Sequence, residues 1–257
     1  KTEDQAYYTE ISRAVRRAVR ERYVTGRGEL SVNTQTAYVL GIHFHIFDEE
    51  EMDAAAGRLA GLLSANGDHL LTGFVGTGYL CQTLSQAGLS KKAYTLLLNE
   101  DYPGWLYEVN LGATTIWERW NSLLPDGSIS STGMNSLNHY AYGAVAEWMY
   151  QDMCGLKQSQ DVSGFRKVVF APKTDERLSF AEAEYNSVSG LWRAGWKREG
   201  GRILCWLEVP FDCQAVFEPE EGYQVVKILA RDGDQEWNGQ VFSCGRYTIE
   251  ISKNDEA

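Results

Sequence analysis

A carboxylate flanked by tryptophans lies in the stretch GATTIWERWNS, residues 112–122. Glu118 stands between Trp117 and Trp120, in a segment otherwise rich in glycine and threonine. Indole rings offer flat apolar surfaces for sugar stacking, and a partly apolar surrounding suits a glutamate that takes up a proton. Glu118 is therefore the first candidate for a general base acting on a sugar. The alternative is a surface glutamate paired with Arg119 or another basic residue.

A histidine follows this carboxylate in the stretch SLNHYAYGAVAEWMY, residues 136–150. The neutral imidazole of His139 donates one hydrogen bond and accepts another, so it suits recognition of sugar hydroxyls. The alternative is a histidine packed in the core between helices. Asn138, beside it, is expected to cap the following helix rather than contact sugar.

Further aromatic residues stand in two loops of the same half of the chain. Trp105 lies shortly before Glu118, near Asp101 and Glu108, and this group either approaches the same pocket mouth or consists of solvated charges around one packed indole. Tyr79 lies in LLTGFVGTGYL, residues 70–80, a tight loop expected to start a helix and to supply aromatic lining for the pocket.

Helical spacing positions these loops. Apolar residues recur at three- and four-residue intervals up to about residue 156, as in Ile11, Val15 and Val19. The pattern predicts helices over residues 4–23, 34–47, 49–66, 76–87, 89–98 and 138–153. The connections that carry the candidate residues exceed the usual helix-to-helix length of about two to eight residues. Long glycine-rich loops on a helical scaffold are a common place for function.

The pattern changes after residue 156 to short alternating runs separated by glycine, aspartate and proline. It predicts an antiparallel β-sandwich over residues 157–257, after a helical domain over residues 1–156. Gly200 and Gly201 predict the turn of a hairpin. Trp192, Trp196 and Trp206 are expected in the core of the sandwich.

Four motifs together resemble those of bacterial α-L-rhamnosidases, glycoside hydrolase family 78. They are TQTAYVLGIHF, LLTGFVGTGYL, GATTIWERWNS and SLNHYAYGAVAEWMY, in the same order as in that family. Several motifs in one order are more specific than a single short pattern. The resemblance implies an α + β multidomain chain, consisting of the second half of an (α/α)6 toroid followed by the antiparallel β-sandwich.

The resemblance also implies roles for the candidate residues. Such enzymes hydrolyse terminal α-L-rhamnosides with inversion, so one carboxyl group protonates the leaving oxygen and another deprotonates water. By motif position, Glu118 matches the general base and His139 a residue of the rhamnose subsite. The expected substrate-binding neighbours are Trp105, Trp117, Trp120 and Tyr79. The general acid belongs to an upstream acidic segment that nothing here matches, so this polypeptide alone is expected to be inactive.

Charge and composition restrict the partners. The formal net charge of −11 arises from 35 acidic and 24 basic residues, which disfavours nucleic acid and membrane partners. A rhamnose-containing glycoside is the expected ligand. Half a toroid leaves apolar flanks, so self-association through the open helical flank is also expected. No cofactor is implied, and no metal, because His43 and His45 would point to different faces of a helix.

Cysteine usage and the amino-terminal segment give weaker indications of compartment. The five cysteines are widely spaced without a CxxC pair, so most are expected to be buried thiols. The amino-terminal segment is charged and lacks the apolar stretch of a signal peptide, which favours a bacterial cytoplasmic location over secretion.

Two other hypotheses stay open at this point. The chain could be a non-catalytic carbohydrate-binding or scaffolding unit, or part of a related (α/α)6 glycosidase for another sugar, because fold alone does not set the substrate. A second carboxylate completing the pocket would separate an enzyme from a binding unit.

Overall fold

The computed structural model describes residues 1–131, 133, 135–230, 233–239 and 241–254. The chain folds into two compact units, residues 1–145 and 146–257. The first is helical, and the second consists largely of β-sheet. The domain boundary after residue 156 stays a prediction.

The helical unit is a series of helices joined by loops. The helices are α1 Thr2–Tyr23, α2 Gln35–His43, α3 Glu49–Ala65, α4 Phe74–Gln86, α5 Ser90–Leu97 and α6 Trp105–Asn110, with a hairpin of β1 Val24–Gly26 and β2 Glu29–Leu30 after α1. After a long loop comes a 3-10 helix, Ala141–Ala144. It is followed by α7 Val145–Trp148 and a π-helical turn, Met149–Met153, which belong to the second unit apart from Val145. The predicted helical architecture is confirmed. None of the described helices is long and apolar enough to cross a bilayer.

Polar groups fix the starts of α2 and α3. The Thr34 hydroxyl accepts a hydrogen bond from the Ala37 backbone N–H at 3.2 Å, which caps α2. The Glu51 carboxylate accepts one from the Asp48 backbone N–H at 2.7 Å at the start of α3. Each bond occupies a backbone donor that has no partner within its helix.

Ion pairs join α1 to the start of α3. Arg16 and Arg20 contact Asp48 at 2.7 and 2.6 Å, and Arg20 contacts Glu51 at 2.7 Å. The hydrogen bonds from these guanidinium groups lower the pKa of both carboxyl groups. No residue of α1, which the structure describes in full, is buried. Its apolar face is therefore open to further packing.

Three local features differ from the sequence-based prediction. First, α2 ends at His43 rather than at residue 47, because the chain turns back so that the Ile46 backbone N–H bonds the Gly41 carbonyl at 2.8 Å. Second, the helix predicted from residue 138 begins at Ala141, and Asn138 does not cap it. Third, α6 lies in a stretch predicted as loop, because six residues are too few to show a helical period.

The β unit contains two sheets. The strands are β3 Leu156–Gln158, β4 Lys167–Phe170, β5 Phe180–Ser187, β6 Gly190–Glu199, β7 Arg202–Val209, β8 Gln214–Phe217, β9 Tyr223–Ala230, β10 Gly233–Gln235, β11 Val241–Phe242 and β12 Gly245–Lys253. One sheet has the antiparallel order β10-β9-β12-β7-β6-β5, and the other has the order β11-β8-β4-β3. The predicted sandwich is confirmed, with one exception to its antiparallel pairing: β4 and β8 are parallel.

Strand alternation determines which tryptophans enter the core of the β unit. Trp192 and Trp196 are fully buried, as predicted. The expectation for Trp206 is wrong, because its neighbour Cys205 takes the buried face of β7 and successive side chains point to opposite faces. The half-buried Trp206 ring instead lies over Gly195, where a Cβ would come within 2.5 Å of it.

The predicted hairpin is confirmed. Strands β6 and β7 pair antiparallel through Glu199 and Arg202, and the intervening Gly200 and Gly201 have φ angles of 57° and 84°. Glycine adopts this left-handed backbone without steric cost, which explains the residue type at both positions.

The cysteines also agree with the prediction. The five occur as thiols rather than in disulfides, and Cys81, Cys154, Cys205 and Cys213 are buried while Cys244 is exposed. The four buried thiols serve packing rather than cross-linking.

Candidate active site

Two loop segments run antiparallel and bring the principal candidates together. The Glu118 backbone N–H donates to the Ser136 carbonyl at 2.9 Å, and the His139 backbone N–H donates to the Ile116 carbonyl at 2.8 Å. The Thr115 hydroxyl adds a bond to the Leu137 carbonyl. Glu118 and His139, predicted from separate motifs, therefore stand on adjoining segments.

The Glu118 carboxylate is half-buried and oriented by the backbone. Its Oε2 accepts a hydrogen bond from the Ser136 N–H at 2.7 Å. Because Ser136 N–H and Ser136 carbonyl both bond Glu118, the residue is fixed at its backbone and at its side chain. A carboxylate held in this way and still reached by solvent can accept a proton from a bound water.

The neighbouring Arg119 uses its guanidinium in a different contact. Its Nη2 donates to the Gly133 carbonyl at 3.4 Å, and its backbone N–H donates to the Ser122 hydroxyl at 3.2 Å. Both bonds lie within the long loop after α6, so Arg119 contributes to the fold of this loop.

Trp105 and Trp120 belong to one aromatic cluster. The Trp120 ring stacks on Tyr142 with centroids 3.9 Å apart and planes 8° from parallel, and Trp105 meets Trp120 edge-on at 5.3 Å. Trp105 Nε1 donates to the Tyr142 carbonyl at 2.9 Å. The cluster ties α6, the Glu118 loop and the 3-10 helix into one wall.

The predicted tryptophans are more deeply buried than sugar platforms usually are. The exposed fractions of Trp105, Trp117 and Trp120 are 5%, 2% and 6%. In this structure these rings therefore support the wall from within, and little of their surface is open to a ligand.

His139 continues the aromatic wall toward solvent. Its ring stacks on Phe74 at 4.8 Å and on Tyr140 at 5.0 Å, and Phe74 meets Tyr142 edge-on at 5.3 Å. His139 Nδ1 accepts from the Ala141 backbone N–H at 3.2 Å. This bond uses the unprotonated nitrogen, so the neutral ring carries its proton on Nε2 and can donate from there.

Tyr79 has different neighbours from the other predicted site residues. Its ring lies 4.3 Å from His43 and 5.4 Å from Phe44, at the end of α2. Of the two histidines His43 and His45, His43 therefore packs against an aromatic ring. The structure groups His139 with Phe74 on α4, whereas Tyr79 on the same helix packs on α2.

Glu108 on α6 is a deeply buried carboxyl group with a strongly raised pKa. It is 2% exposed, and burial raises the pKa of its carboxyl to about 8. Its Oε2 accepts from the Trp117 backbone N–H at 3.4 Å, next to Glu118. The sequence pattern did not distinguish Glu108 from Asp101, which is exposed, as a residue of the site. The available signal was the spacing Trp105–Glu108, which places both side chains on one face of a short helix.

The donor sets available to a metal are poor. Across the described residues, no group of three or more histidine, cysteine, aspartate or glutamate side chains could hold a metal ion.

Comparison with family models gives two matches. Residues 1–153 match the bacterial alpha-L-rhamnosidase 6 hairpin glycosidase domain, and residues 155–227 match the bacterial alpha-L-rhamnosidase C-terminal domain. Together they cover most of both units.

Curated relatives with similar sequences are α-L-rhamnosidases. That of Alteromonas sp. (strain LOR) is 37% identical over 220 residues, 85% of this chain and 24% of the relative. That of Streptomyces avermitilis is 38% identical over 207 residues, 80% of this chain and 20% of the relative. The chain thus spans about a quarter of the length of the curated relatives that it matches.

Solved structures agree with the sequence comparison. The Streptomyces avermitilis α-L-rhamnosidase complexed with L-rhamnose superposes with a TM-score of 0.83 at 33% identity, covering 95% of this chain and 24% of that one. The native Aspergillus terreus enzyme gives 0.85 at 30% identity, covering 97% and 28%.

Proposed function

Because the chain belongs to the bacterial α-L-rhamnosidase family, we propose that it is the carboxyl-terminal portion of an inverting enzyme that releases terminal α-L-rhamnose. Its relatives are named for this activity, and one related structure is described as a complex with L-rhamnose. The substrate is a rhamnose-containing glycoside, and the reaction is hydrolysis of the bond to rhamnose.

Glu118 is the general base in this proposal. The observation that carries the assignment is the half-buried Glu118 carboxylate, oriented by the Ser136 N–H at 2.7 Å, on a loop paired with the segment of His139. In an inverting hydrolase the base takes a proton from water, and that water attacks the anomeric carbon opposite the leaving group. Solvent access and fixed orientation are the properties that this step needs.

His139 binds the sugar. Since Nδ1 is engaged by the Ala141 N–H, the Nε2–H is left to donate to a rhamnose hydroxyl. The exposed Phe74, stacked on His139, extends the same surface. Substrate contacts by Trp105, Trp117, Trp120 and Tyr79 remain part of the proposal, with the first three shaping the wall behind the subsite.

The general acid comes from outside this chain. Inversion requires a second carboxyl group about 6.5–9.5 Å from the base to protonate the leaving oxygen. We assign this group to the remainder of the parent enzyme, since the relatives are about four times longer than the matched region. The isolated polypeptide is accordingly inactive on natural rhamnosides.

Substitution of the base tests the proposal. In the full-length parent enzyme, Glu118→Gln keeps the size of the side chain but cannot take up a proton, so kcat on an aryl α-L-rhamnoside should fall by about two to four orders of magnitude. Binding of rhamnose, measured by calorimetry, should be largely retained.

The matched control is Glu100→Gln, which removes an exposed carboxylate elsewhere in the helical unit. It should leave kcat unchanged. A Glu118→Gln enzyme that retained more than half the parental rate would refute the assignment of the base.

The open flank of the helical unit supports the proposed self-association. Tyr7, Tyr8, Ile11 and Val15 on α1 are between 41% and 66% exposed, and a groove of about 650 Å³ lies between α1 and α2. The groove is lined mainly by apolar side chains, including Val15, Val19, Leu40 and Phe44. Apolar surface of this kind favours association, so a second copy covers it when the polypeptide is produced alone.

A further inference from the structure

Glu108 combines deep burial with an unused hydrogen-bonding atom. Its Oε1 is out of contact with solvent and has no hydrogen-bond partner among the described residues. Buried polar atoms are nearly always paired, so an exception calls for a physical account. Because solvent does not reach Oε1, Glu108 is not placed to meet the substrate in this structure.

The contacts of Glu108 lead to the loop that carries Glu118. Its backbone carbonyl accepts from the Leu111 and Ala113 N–H groups at 3.1 and 3.0 Å, which closes the end of α6. Its side-chain Oε2 then reaches the Trp117 N–H at 3.4 Å. A single residue thus connects the end of α6, the start of the loop and the peptide next to Glu118.

We infer that Glu108 is a positioning residue for Glu118. The buried carboxyl group of Glu108 fixes the Trp117 peptide and thereby the direction of the Glu118 carboxylate. The inference rests on the proposed function of Glu118 as general base. On one side the base is held by Ser136, and on the other its chain neighbour Trp117 is held by Glu108. Loss of the second anchor leaves the carboxylate free to move with its loop.

The protonation state of Glu108 fits this role at neutral pH. With its pKa raised to about 8 by burial, the carboxyl group is mainly neutral at pH 7 and can still accept the Trp117 N–H bond. The titratable side chain that interacts with it is Tyr142, which is itself influenced by Tyr102 and Arg119.

Two substitutions in the full-length parent enzyme separate positioning from simple support of the fold. Glu108→Leu replaces the hydrogen-bond acceptor with an apolar side chain of similar size. A displacement of about 1 Å at the base can lower the rate about 100-fold. We expect kcat per folded molecule to fall at least 10-fold with KM changed less than about 2-fold. Glu108→Gln keeps an oxygen that can accept the Trp117 N–H, so its kcat at pH 7 should stay close to that of the parent enzyme.

Amide hydrogen exchange of the peptide covering residues 112–122 provides a readout independent of activity. Exchange should be faster than in the parent for Glu108→Leu and unchanged for Glu108→Gln. The positioning role would be overturned if Glu108→Leu had the kcat and the exchange rate of the parent enzyme. It would also be overturned if the kcat of Glu108→Gln were as low as that of Glu108→Leu. An inactive parent enzyme would instead contradict the proposed function, while the exchange data would still decide whether Glu108 holds the loop.

Discussion

At the scale of single residues, two glutamates in the same region occupy opposite environments. Glu118 is reached by solvent and bonded to a backbone N–H, whereas Glu108 is buried and its pKa is raised to about 8. A solvent-accessible carboxylate suits proton uptake from water, and a buried neutral carboxyl group suits a fixed hydrogen bond. The different roles proposed for them follow from this difference in surroundings.

Two roles are proposed for His139, binding of the sugar and support of the local fold through the Ala141 N–H, and substitutions should distinguish them. In the full-length parent enzyme, His139→Ala should raise KM for an aryl α-L-rhamnoside about 5-fold, because a sugar hydrogen bond contributes about 1 kcal/mol. His139→Asn keeps an oxygen able to accept the Ala141 N–H, so it should preserve stability while still binding sugar weakly. A large fall in Tm for both variants with unchanged KM would identify a packing histidine instead.

Motif position together with residue type indicated Glu118 and His139, but it could not rank the surrounding side chains. Motif spacing marks a tryptophan without telling whether its ring faces ligand or core, and Trp117 proved to be 2% exposed. Glu108 could not be distinguished from Asp101, because burial depends on how α6 packs. Such properties arise from tertiary contacts between distant segments and are not encoded in the local pattern.

At the scale of elements, close packing of α2 against α4 depends on one glycine. A Cβ on Gly76 would lie 2.7 Å from the Thr36 hydroxyl oxygen and 2.8 Å from a Thr72 methyl group. The helices therefore approach where no side chain intervenes. Since α4 also presents Phe74 to His139, this contact helps to place the aromatic wall.

Gly76→Ala should destabilise the protein by about 1–3 kcal/mol, because the added methyl group overpacks the contact. The matched control is Gly78→Ala in the same helix, where a Cβ would meet Ala144 at the comfortable distance of 3.9 Å. It should be neutral or stabilising by up to about 1 kcal/mol, since alanine favours helix over glycine. Chemical denaturation of both variants tests this, and equal losses would contradict the packing argument.

Helices with a sustained apolar period were predictable, and short elements were not. The spacing of Ile11, Val15 and Val19 gave α1, whereas α6 and the hairpin after α1 have too few residues for a period. The π-helical turn Met149–Met153 was likewise hidden within a helical pattern. In the β unit, the alternating pattern predicted the sheets but not the face on which Trp206 lies. A shift of one residue in register moves every side chain of a strand to the opposite face.

At the scale of the whole molecule, the matched region is about a quarter of its relatives, and its helical unit exposes an apolar flank. The sequence motifs predicted the family, which the comparisons confirm. They could not indicate which surfaces the remaining part of the enzyme covers. The groove between α1 and α2 is one apolar surface that the described residues leave open.

The isolated polypeptide should form dimers or larger species in light scattering at micromolar concentration, because apolar surface is removed from water on association. Val15→Glu places a charge in the groove and should return the mass toward 28.9 kDa. In the charge-matched control Ala6→Glu, the new charge lies on the side of α1 opposite Val15 and should leave association unchanged. If the unsubstituted isolated polypeptide were monomeric, or if both substitutions had equal effects, association through this flank would be contradicted.

The stereochemistry of the reaction tests the proposed role of Glu118 as the base of an inverting rhamnosidase. Proton NMR should follow hydrolysis of an aryl α-L-rhamnoside by the full-length parent enzyme and by its Glu118→Gln variant. If Glu118 is the base of an inverting enzyme, β-L-rhamnose should appear first and mutarotate later, and the variant should form it at least about 100-fold more slowly. Release of α-L-rhamnose as the first product, or an undiminished rate in the variant, would contradict it.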